Sequence, residues 1–285
     1  MRAGIVSRTD IPRAIEITKK IIEYLESQGV EPIVETDTAL ALELMHNNTN
    51  LQDLDGDFIV TIGGDGTILR ASMEMKTSNT PIVGINMGRR GFLSEVPPEE
   101  VEEAIQKILN ADYFIEESIK VKSWSVGMKD FFPDALNEVL IASNLPSKML
   151  LMRLSIDGEI ITDIQADGAI ISSPTGSTAY NMSAGGPILS GEMQAMVITP
   201  LCPHSLSFRP IVINADSTVE VFGVRVNKGT TISVDGQASL GLSVDDVVRV
   251  ERHKGDFLIV NNPLRTQWDT LATKLSWAEK PKYLK

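Results

Sequence analysis

The sequence predicts an α/β domain followed by a predominantly β domain, and three observations support this prediction. Residues 1–116 alternate short apolar runs with segments of helical periodicity, a pattern typical of parallel βαβ units. Residues 117–262 instead contain short β-type runs separated by turn sequences such as Asp-Gly and Asn-Lys-Gly. The chain of 285 residues is 42% hydrophobic, which is enough for about two domains, each with its own core.

The first domain is expected to be Rossmann-like. A strand over Ala3–Val6 leads to Asp10, which we expect to cap a helix that starts near Pro12 and ends at Gly29. The turn that follows the central strand does not have the G-x-G-x-x-G spacing of dinucleotide-binding folds. The remaining predicted elements are strands at Ile33–Val34, Phe58–Ile62 and Pro81–Ile85, and helices at Thr38–Met45, from Thr67 onward, and at Glu99–Leu109.

The second domain is expected to be β-rich and sandwich-like. The C-terminal tail, residues 263–285, has helix-like spacing around Trp268 and Leu271–Trp277, and we expect it to pack back on the first domain. The character of the sequence changes around Ile115–Val121. The predicted strands are Ala135–Ile141, Leu150–Ile156, Glu159–Ile164, Ala169–Ser172, Ala195–Thr199, Thr218–Val226 and Thr231–Val234.

Charge and composition exclude several classes of function. The formal net charge is −12 and the isoelectric point about 4.8, so the chain repels nucleic acid and anionic membranes. The one cysteine, Cys202, can form no disulfide within the chain and is expected to pack in the core. With no apolar run of about 18 residues and no signal-peptide pattern, we expect a cytoplasmic protein. An anionic ligand needs local basic groups, for which the candidates are Arg70, Arg89, Arg90 and Lys148.

The most informative stretch is Phe58–Ala71, in which a predicted buried strand meets a predicted helix at Gly63-Gly64-Asp65-Gly66. Three glycines let a ligand approach the backbone, and the free N–H groups of a helix start attract phosphate. Asp65 is therefore suited to accept a proton from an attacking hydroxyl, or to hold magnesium against phosphate oxygens. The alternative is a strand-to-helix turn in which the glycines serve geometry alone and Asp65 caps the helix.

Four further polar clusters lie in apolar surroundings. An amide and a carboxylate inside an apolar strand, as at Asn137 and Glu138, need partners such as an adenine edge and ribose hydroxyls, unless they form the solvated face of an edge strand. His204 is expected to be structural or ligand-binding, and Asp235-Gly236 to form a hairpin turn. The sequence has no His/Cys metal-ligand spacing and no G-x-S-x-G motif. The clusters are Asn86–Leu93, Asn137–Glu138, Gln165–Ile188, and Thr199–Pro210 with Ser233–Gln237.

Together these motifs resemble the NAD kinase family. The resemblance implies the two-domain fold described above and transfer of the γ-phosphoryl group of ATP, or of polyphosphate, to the 2′-hydroxyl of the adenosine ribose of NAD, giving NADP. It also implies Mg²⁺ with the ATP, Asp65 as the proton acceptor, and a homodimer or homotetramer. It rests on Gly63–Thr67, Asn137–Glu138, Thr175–Tyr180 with Ser183–Pro187, and Pro203–Pro210, in the family's order across residues 5–258.

The same resemblance implies a set of ligand contacts. Asn137 and Glu138 would contact the adenosine portion of NAD, and Asp167 would lie on the nicotinamide side. The phosphates of ATP would lie at Gly63, Gly64, Thr67 and Arg70. The residues expected to bind NAD are Gly66, Arg70, Asn86, Phe92, Asn137, Glu138, Lys148, Gln165, Asp167, Thr178, Ala179, Tyr180, Asn181, Met182, Ser183 and Gln237.

One departure and two other functions remain open. Arg90 stands where the family usually has leucine, so we expect its guanidinium either to face solvent or to touch a ligand phosphate. A lipid kinase of the diacylglycerol type shares the Gly-Gly-Asp-Gly-Thr turn, but its Asn-Glu pair follows within a few residues, whereas here it lies about seventy residues later. A non-catalytic dinucleotide-sensing module is the second alternative, and the presence of Asp65 argues against it.

Overall fold

The structure is a computed structural model that describes residues 1–44, 48–76, 79–88, 91–126, 132–145 and 148–277. The chain divides into two compact units, one formed by residues 1–116 with 258–285 and the other by residues 117–257. Among the described residues, every helix is too short or too polar to cross a membrane.

The first unit is a parallel sheet with its helices. The strand order is β3-β2-β1-β4-β5, and Ile259 of a later strand pairs in parallel with Ile82. β4 is buried at every residue, as a strand of a sheet covered on both faces requires. The elements are β1 (Arg2–Ser7), α1 (Pro12–Ser27), β2 (Glu31–Glu35), α2 (Thr36–Leu42), β3 (Asn48–Thr49), β4 (Phe58–Gly63), α3 (Asp65–Glu74), β5 (Ile82–Asn86) and α4 (Val101–Leu109).

The prediction that Asp10 caps α1 is wrong. The residue before the helix is Ile11, which makes no side-chain cap hydrogen bond. The Asp10 carboxylate instead accepts hydrogen bonds from Nε (2.9 Å) and Nη2 (2.7 Å) of Arg8. A bidentate, charge-assisted pair of this kind is stronger than a single hydrogen bond to a neutral backbone N–H. The Asp10 carboxylate therefore binds Arg8 and does not cap the helix. The other end is as expected, with Gly29 at φ +74° directly after the last turn.

The second unit is built from antiparallel strands in two sheets, with orders β16-β13-β8-β9 and β12-β11-β10-β7-β14-β15; β6 pairs with β16. The predicted fold, an α/β unit and a β-rich unit, is confirmed. The elements are β6 (Ile115–Val126), β7 (Glu138–Ala142), β8 (Leu150–Ile156), β9 (Glu159–Ala166), β10 (Gly168–Ser172), α5 (Tyr180–Ser183), β11 (Ala195–Leu201), β12 (Ile211–Asn214), β13 (Val219–Arg225), β14 (Thr231–Val234), β15 (Ala238–Gly241), β16 (Val247–Val260) and, back in the first unit, α6 (Gln267–Lys274).

The prediction that Cys202 packs in the core is also wrong. β11 ends at Leu201, and Cys202 follows it in the left-handed conformation, at φ +44°. The thiol is exposed because the chain leaves the sheet at this residue.

Candidate active site

β4 and β5 end side by side at one edge of the parallel sheet, and this edge carries the glycine-rich turn. The register pairs Gly63 with Asn86, the last residues of the two strands. Ligands of open α/β sheets bind beyond such carboxyl ends. Helix α3 begins at Asp65, with Gly64 before it and no side-chain cap hydrogen bond. The alternative in which Asp65 serves as the helix cap is therefore wrong.

The segment that follows β5 holds the carboxylate of Asp65. Its Oδ1 accepts hydrogen bonds from the backbone N–H groups of Leu93 (3.2 Å) and Ser94 (2.9 Å) and from Ser94 Oγ (3.0 Å). Its Oδ2 accepts one, from the N–H of Phe92 at 2.8 Å. A Cβ on Gly91 would lie 2.5 Å from Oδ1, so a larger residue has no room there. Asp65 is half-buried and fixed, and Oδ2 is its less occupied oxygen.

The glycine-rich turn also positions the hydroxyl of Thr67. A Cβ on Gly63 would come within 2.2 Å of Thr67 Oγ1, so the two residues meet only because one of them is glycine. This oxygen is buried and finds no hydrogen-bond partner among the residues that the structure describes. A buried hydroxyl without a hydrogen-bond partner costs free energy, so Thr67 Oγ1 is a candidate for contact with a ligand.

Beside this turn, within the first unit, lies a cavity of about 310 Å³. Arg70 contributes a guanidinium whose Nη1 lies 2.7 Å from Oε1 of Glu35. Burial lowers the pKa of Arg70, but its hydrogen bond to Glu35 and the charge of Glu35 outweigh burial, and the pKa is raised. Backbone N–H groups, hydroxyls and a permanent cation suit a phosphate group. The cavity is lined by Ser7, Arg8, Thr9, Asp10, Asp37, Gly64, Gly66, Thr67 and Arg70.

In the second unit, Asp235 fixes the segment that contains Asn137 and Glu138. Its Oδ1 accepts hydrogen bonds from the N–H groups of Asn137 and Glu138, each at 2.9 Å, and its Oδ2 accepts one from Leu136 at 2.8 Å. Asp235 and Gly236 have positive φ angles of +49° and +66° between β14 and β15, so the predicted hairpin turn is confirmed. The turn thus aims a carboxylate at three consecutive backbone N–H groups.

Glu138 carries a carboxyl group that is only partly satisfied. The residue is 8% exposed, and its Oε2 has no hydrogen-bond partner within the described part of the chain. Burial, with the nearby charge of Asp235, raises the pKa of Glu138 to about 7, although the Tyr180 N–H acts in the opposite direction. Burial also raises the pKa of Asp235, and it lowers the pKa of the buried Lys120, whose charge acts on Asp235. Glu138 is therefore suited to receive a hydroxyl group of a ligand.

The hydroxyl-rich loop after β10 packs directly on the Asn137 segment. The Asn137 carbonyl oxygen accepts a hydrogen bond from the Ser173 N–H at 2.9 Å. A Cβ on Gly176 would lie 2.1 Å from the same oxygen, so the loop reaches this position only with glycine there. The structure therefore brings together two motifs that the sequence separates by more than thirty residues.

Asn181 differs from the neighbouring residues that were predicted with it. Its side chain is fully buried, donates to the Ser177 carbonyl oxygen (3.0 Å) and accepts from Thr199 Oγ1 (2.6 Å). It therefore maintains the shape of the loop instead of presenting its amide to a ligand. Around it, Thr178, Ala179 and Met182 are half-buried, and Tyr180 and Ser183 are exposed.

The other predicted residues occupy scattered positions. Gln165 and Asp167 are half-buried at the end of β9, and the Gln165 carbonyl oxygen accepts from the His204 N–H at 2.9 Å. Lys148 and Gln237 are exposed. In the first unit, Asn86 Oδ1 accepts from the Gly88 N–H at 2.8 Å. Arg89 and Arg90, including the departure from the family's leucine, lie outside the described residues.

Two family models match the chain, the ATP-NAD kinase N-terminal domain over residues 3–113 and the ATP-NAD kinase C-terminal domain over residues 136–262. The NAD kinase of Methanothermobacter thermautotrophicus is 40% identical over 261 residues, which are 90% of this chain and 91% of that protein. The chain belongs to the NAD kinase family.

Solved structures agree with this assignment. A yeast NADH kinase in complex with NADH gives a TM-score of 0.87 at 26% identity and covers 100% of this chain and 90% of its own. An NAD kinase from Archaeoglobus fulgidus in complex with ATP gives a TM-score of 0.78 at 29% identity and covers 98% of this chain and 100% of its own. As a member of the NAD kinase family the chain is a phosphotransferase, and the lipid kinase alternative is not favoured.

Three residues of this family member's site were not predicted as functional. Ser94 and Asp235 hold the two motifs in place, and Glu35 holds Arg70. A Ser within Phe-Leu-Ser-Glu and an Asp within a hairpin turn have ordinary structural explanations, so sequence reasoning had no signal for them. Their roles depend on contacts between residues 29 to 99 positions apart.

Proposed function

We propose that the chain transfers the γ-phosphoryl group of ATP to the 2′-hydroxyl of the adenosine ribose of NAD, giving NADP. The observation that carries this proposal is the Asp65 carboxylate, which three backbone N–H groups and one hydroxyl hold at a helix start. The residues on either side of it, Gly64 and Gly66, line the cavity. Phosphoryl transfer depends on positioning and charge stabilisation more than on covalent catalysis, and this site provides both.

Asp65 is the proton acceptor in this proposal. The 2′-hydroxyl must lose its proton as it attacks phosphorus, and a fixed carboxylate within hydrogen-bond distance can receive it. Oδ1 already accepts three hydrogen bonds and Oδ2 accepts one, so Oδ2 is the oxygen that takes the proton. The stretch from the end of β5 to Ser94, here called the holding segment, prevents the Asp65 side chain from rotating away. This keeps the carboxylate oriented through the reaction.

The cavity beside the glycine-rich turn is the donor phosphate site in this proposal. Arg70 offers a permanent positive charge, and Thr67 Oγ1 offers a hydroxyl that has no partner within the described part of the chain. Magnesium would fit the cavity because it prefers phosphate oxygens, water and one or two carboxylates, and the exposed carboxylate of Asp37 lies in the wall. We expect the ion to arrive on the phosphates of ATP, where it neutralises their charge. The described residues include no group of three or more His, Cys, Asp and Glu side chains that could hold a metal ion.

NAD is recognised by the second unit in this proposal. Asn137 pairs with the adenine edge. Oε2 of Glu138, which lacks a partner among the residues that the structure describes, accepts a hydrogen bond from a hydroxyl of the adenosine ribose. Asp167 lies on the nicotinamide side. The loop that carries Thr178 and Tyr180 closes on the Asn137 segment.

We also propose that the chain forms a homodimer or homotetramer in the cytoplasm. Exposed apolar side chains on the second unit support self-association, among them Ile160 (66% exposed) and Leu206 (88% exposed). Light scattering on the purified protein tests this proposal, and a monomer at all concentrations would contradict it.

The reaction is tested by incubating the purified protein with Mg²⁺, ATP and NAD and coupling the product to an NADP-specific dehydrogenase. NADP from the wild type, with loss in Asp65→Asn, is the expected result. Parallel reactions with polyphosphate and with NADH define the donor and the acceptor. If none of the reactions yields NADP or NADPH, the kinase proposal fails and the dinucleotide-sensing alternative is favoured.

A further inference from the structure

Glu35 is a buried carboxylate at the end of β2, where the parallel sheet meets the donor cavity. Its side chain is 2% exposed. Oε1 lies 2.7 Å from Nη1 of Arg70, and Oε2 accepts a hydrogen bond from Thr38 Oγ1 at 2.6 Å. A buried carboxylate is stable in a protein only when a partner compensates its charge, so Glu35 and Arg70 must be considered together.

A network of buried hydrogen bonds holds the Glu35 carboxylate in place. Thr38 Oγ1, which donates to Glu35, accepts a hydrogen bond from the Ser7 N–H at 2.9 Å. Ser7 Oγ in turn accepts from Thr18 Oγ1 at 2.9 Å. This chain of hydrogen bonds joins β1, α1, β2 and α2 beneath the cavity, and all four residues are buried. Glu35 therefore has little freedom to move.

Arg70 contacts Glu35 and also lines the cavity. Its side chain is 30% exposed and lines the cavity together with Gly64, Gly66 and Thr67. A second carboxylate, Asp37, lies 3.9 Å from the same Nη1 and is 71% exposed. Because the ion pair with Glu35 is formed through Nη1, the guanidinium has further N–H donors in its rigid fork for another partner.

We propose that Glu35 is a positioning residue for the donor: it holds the Arg70 guanidinium at the cavity wall so that Arg70 binds a phosphate oxygen of ATP. This inference rests on the proposed function of the cavity. An anchored arginine loses less conformational entropy on binding than a free one, so the ion pair favours donor binding without touching the donor. Arginine suits this position better than lysine, because its rigid guanidinium can pair with a carboxylate through one nitrogen and present N–H donors to a phosphate from the others.

The test is the steady-state KM for ATP and for NAD in the full-length protein carrying Glu35→Gln, Arg70→Gln or both. Glutamine keeps the size of Glu35 and removes its charge. We expect Glu35→Gln to raise the KM for ATP about tenfold, and Arg70→Gln about 10- to 100-fold, the range for loss of a charge-assisted hydrogen bond. The KM for NAD should change less than about twofold in each case. In the double variant the KM for ATP should equal that of Arg70→Gln, because Glu35 acts through Arg70.

Two controls separate positioning from stability. Arg70→Gln leaves Glu35 without its partner and can fail to fold, so Arg70→Lys, which keeps a cation there, is measured as well and should still raise the KM for ATP. Asp256→Asn removes the nearer of two carboxylates that pair with Arg252, an arginine of comparable exposure (28%) in the second unit, and should leave both KM values unchanged. This control variant shows how much the loss of an ion pair alone changes the two KM values.

The inference and the proposed function fail in different ways. If the wild type makes no NADP, the proposed function is wrong. If the wild type is active and Glu35→Gln lowers the melting temperature but leaves the KM for ATP unchanged, Glu35 is a structural residue and the inference is wrong. An increase in the KM for NAD alone would also overturn it, since Arg70 would then act on the acceptor.

Discussion

Each of the two units contains an aspartate that accepts hydrogen bonds from three consecutive backbone N–H groups. Asp65 binds those of residues 92–94, and Asp235 binds those of residues 136–138. The surroundings differ. Asp65 is half-buried between Gly64 and Gly66, which line a cavity, whereas Asp235 is 8% exposed and has its pKa raised by burial. The same bonding pattern therefore occurs once at an accessible carboxylate and once at an inaccessible one.

This difference assigns opposite roles to the two aspartates. At Asp65 the backbone holds the carboxylate, which is then free to react through its less occupied oxygen. At Asp235 the carboxylate holds the backbone of residues 136–138, and the proposed contacts with NAD are made by the side chains of Asn137 and Glu138. Accessibility decides between these roles, because the number of hydrogen bonds is nearly the same. Each of the following changes tests one side of this comparison.

The largest effect is expected from Asp65→Asn. The amide has nearly the same shape but cannot accept the proton of the attacking hydroxyl, so kcat should fall by about 10²- to 10⁴-fold. Initial rates of NADP formation at saturating ATP and NAD measure this, with thermal unfolding as the check on folding. Turnover close to that of the wild type would remove Asp65 from the proton-acceptor role.

Gly91→Ala tests whether the holding segment sets the position of Asp65. The new Cβ would lie 2.5 Å from Asp65 Oδ1 and 2.9 Å from Ser94 Oγ, so the carboxylate must move. Displacement of a catalytic group by less than about 1 Å is expected to lower kcat by about 10- to 100-fold. The matched control is Gly88→Ala in the same segment, because its Cβ would meet only Asn86 Oδ1 at 3.6 Å. Equal kcat values for the two variants would contradict the proposed role of the segment.

Glu138→Gln tests the partly satisfied carboxyl through the pH dependence of stability. The pKa of Glu138 is raised from 4.5 to about 7 by burial and by Asp235. As pH rises between these values, the unfolded chain ionises while the folded chain keeps its proton, so the wild type loses stability. Relative to Glu138→Gln, the wild type should lose about 1.5 kcal/mol of unfolding free energy between about pH 5.5 and pH 7.

Urea unfolding of both proteins at the two pH values measures this difference. Glu95 in the first unit provides the control, since burial raises its pKa to about 7 as well. Glu95→Gln should remove the contribution of Glu95 to the pH dependence of the unfolding free energy. The contribution of Glu138 should stay unchanged, because the two residues lie in different units. If Glu138→Gln and the wild type respond identically to pH, the Glu138 carboxyl is not held neutral.

The fold could be predicted from the sequence where local periodicity and tertiary burial agree. β4 and the helix over residues 12–27 follow their apolar patterns, and the hairpin turn at Asp235-Gly236 follows its turn sequence. The strand β16 was not predicted, because Arg252, Lys254 and Asp256 stand where the alternation that begins with Val248 and Val250 requires apolar residues. Pairing with β13 overrides this weak local preference, and the sequence alone does not show that pairing.

The residues of the candidate site could be predicted only where a short motif itself contains the reactive or ligand-binding groups. The Gly-Gly-Asp-Gly turn shows a carboxylate among glycines, and Asn137-Glu138 shows polar groups in an apolar strand, so both could be found. Glu35 ends an ordinary strand, and its ion pair with Arg70 joins residues that are 35 positions apart in the sequence. The failed cap at Asp10 has a similar origin, since a propensity rule does not include competition from a nearby arginine.

Asp235→Asn should have the smallest effect of the four, and it tests the other half of the comparison. Asparagine retains one acceptor oxygen but turns an NH₂ group toward one of the three N–H donors, so the Asn137 segment should shift. Loss of about one hydrogen bond is expected to raise the KM for NAD about fivefold and to leave the KM for ATP unchanged. Asp245→Asn is the matched control, because Asp245 is an exposed aspartate in the same unit and also has a positive φ, +70°. The contrary result is that Asp235→Asn lowers kcat as strongly as Asp65→Asn while the KM for NAD stays constant. Asp235 would then have a role in the reaction beyond positioning the backbone, and the contrast between the two aspartates would be wrong.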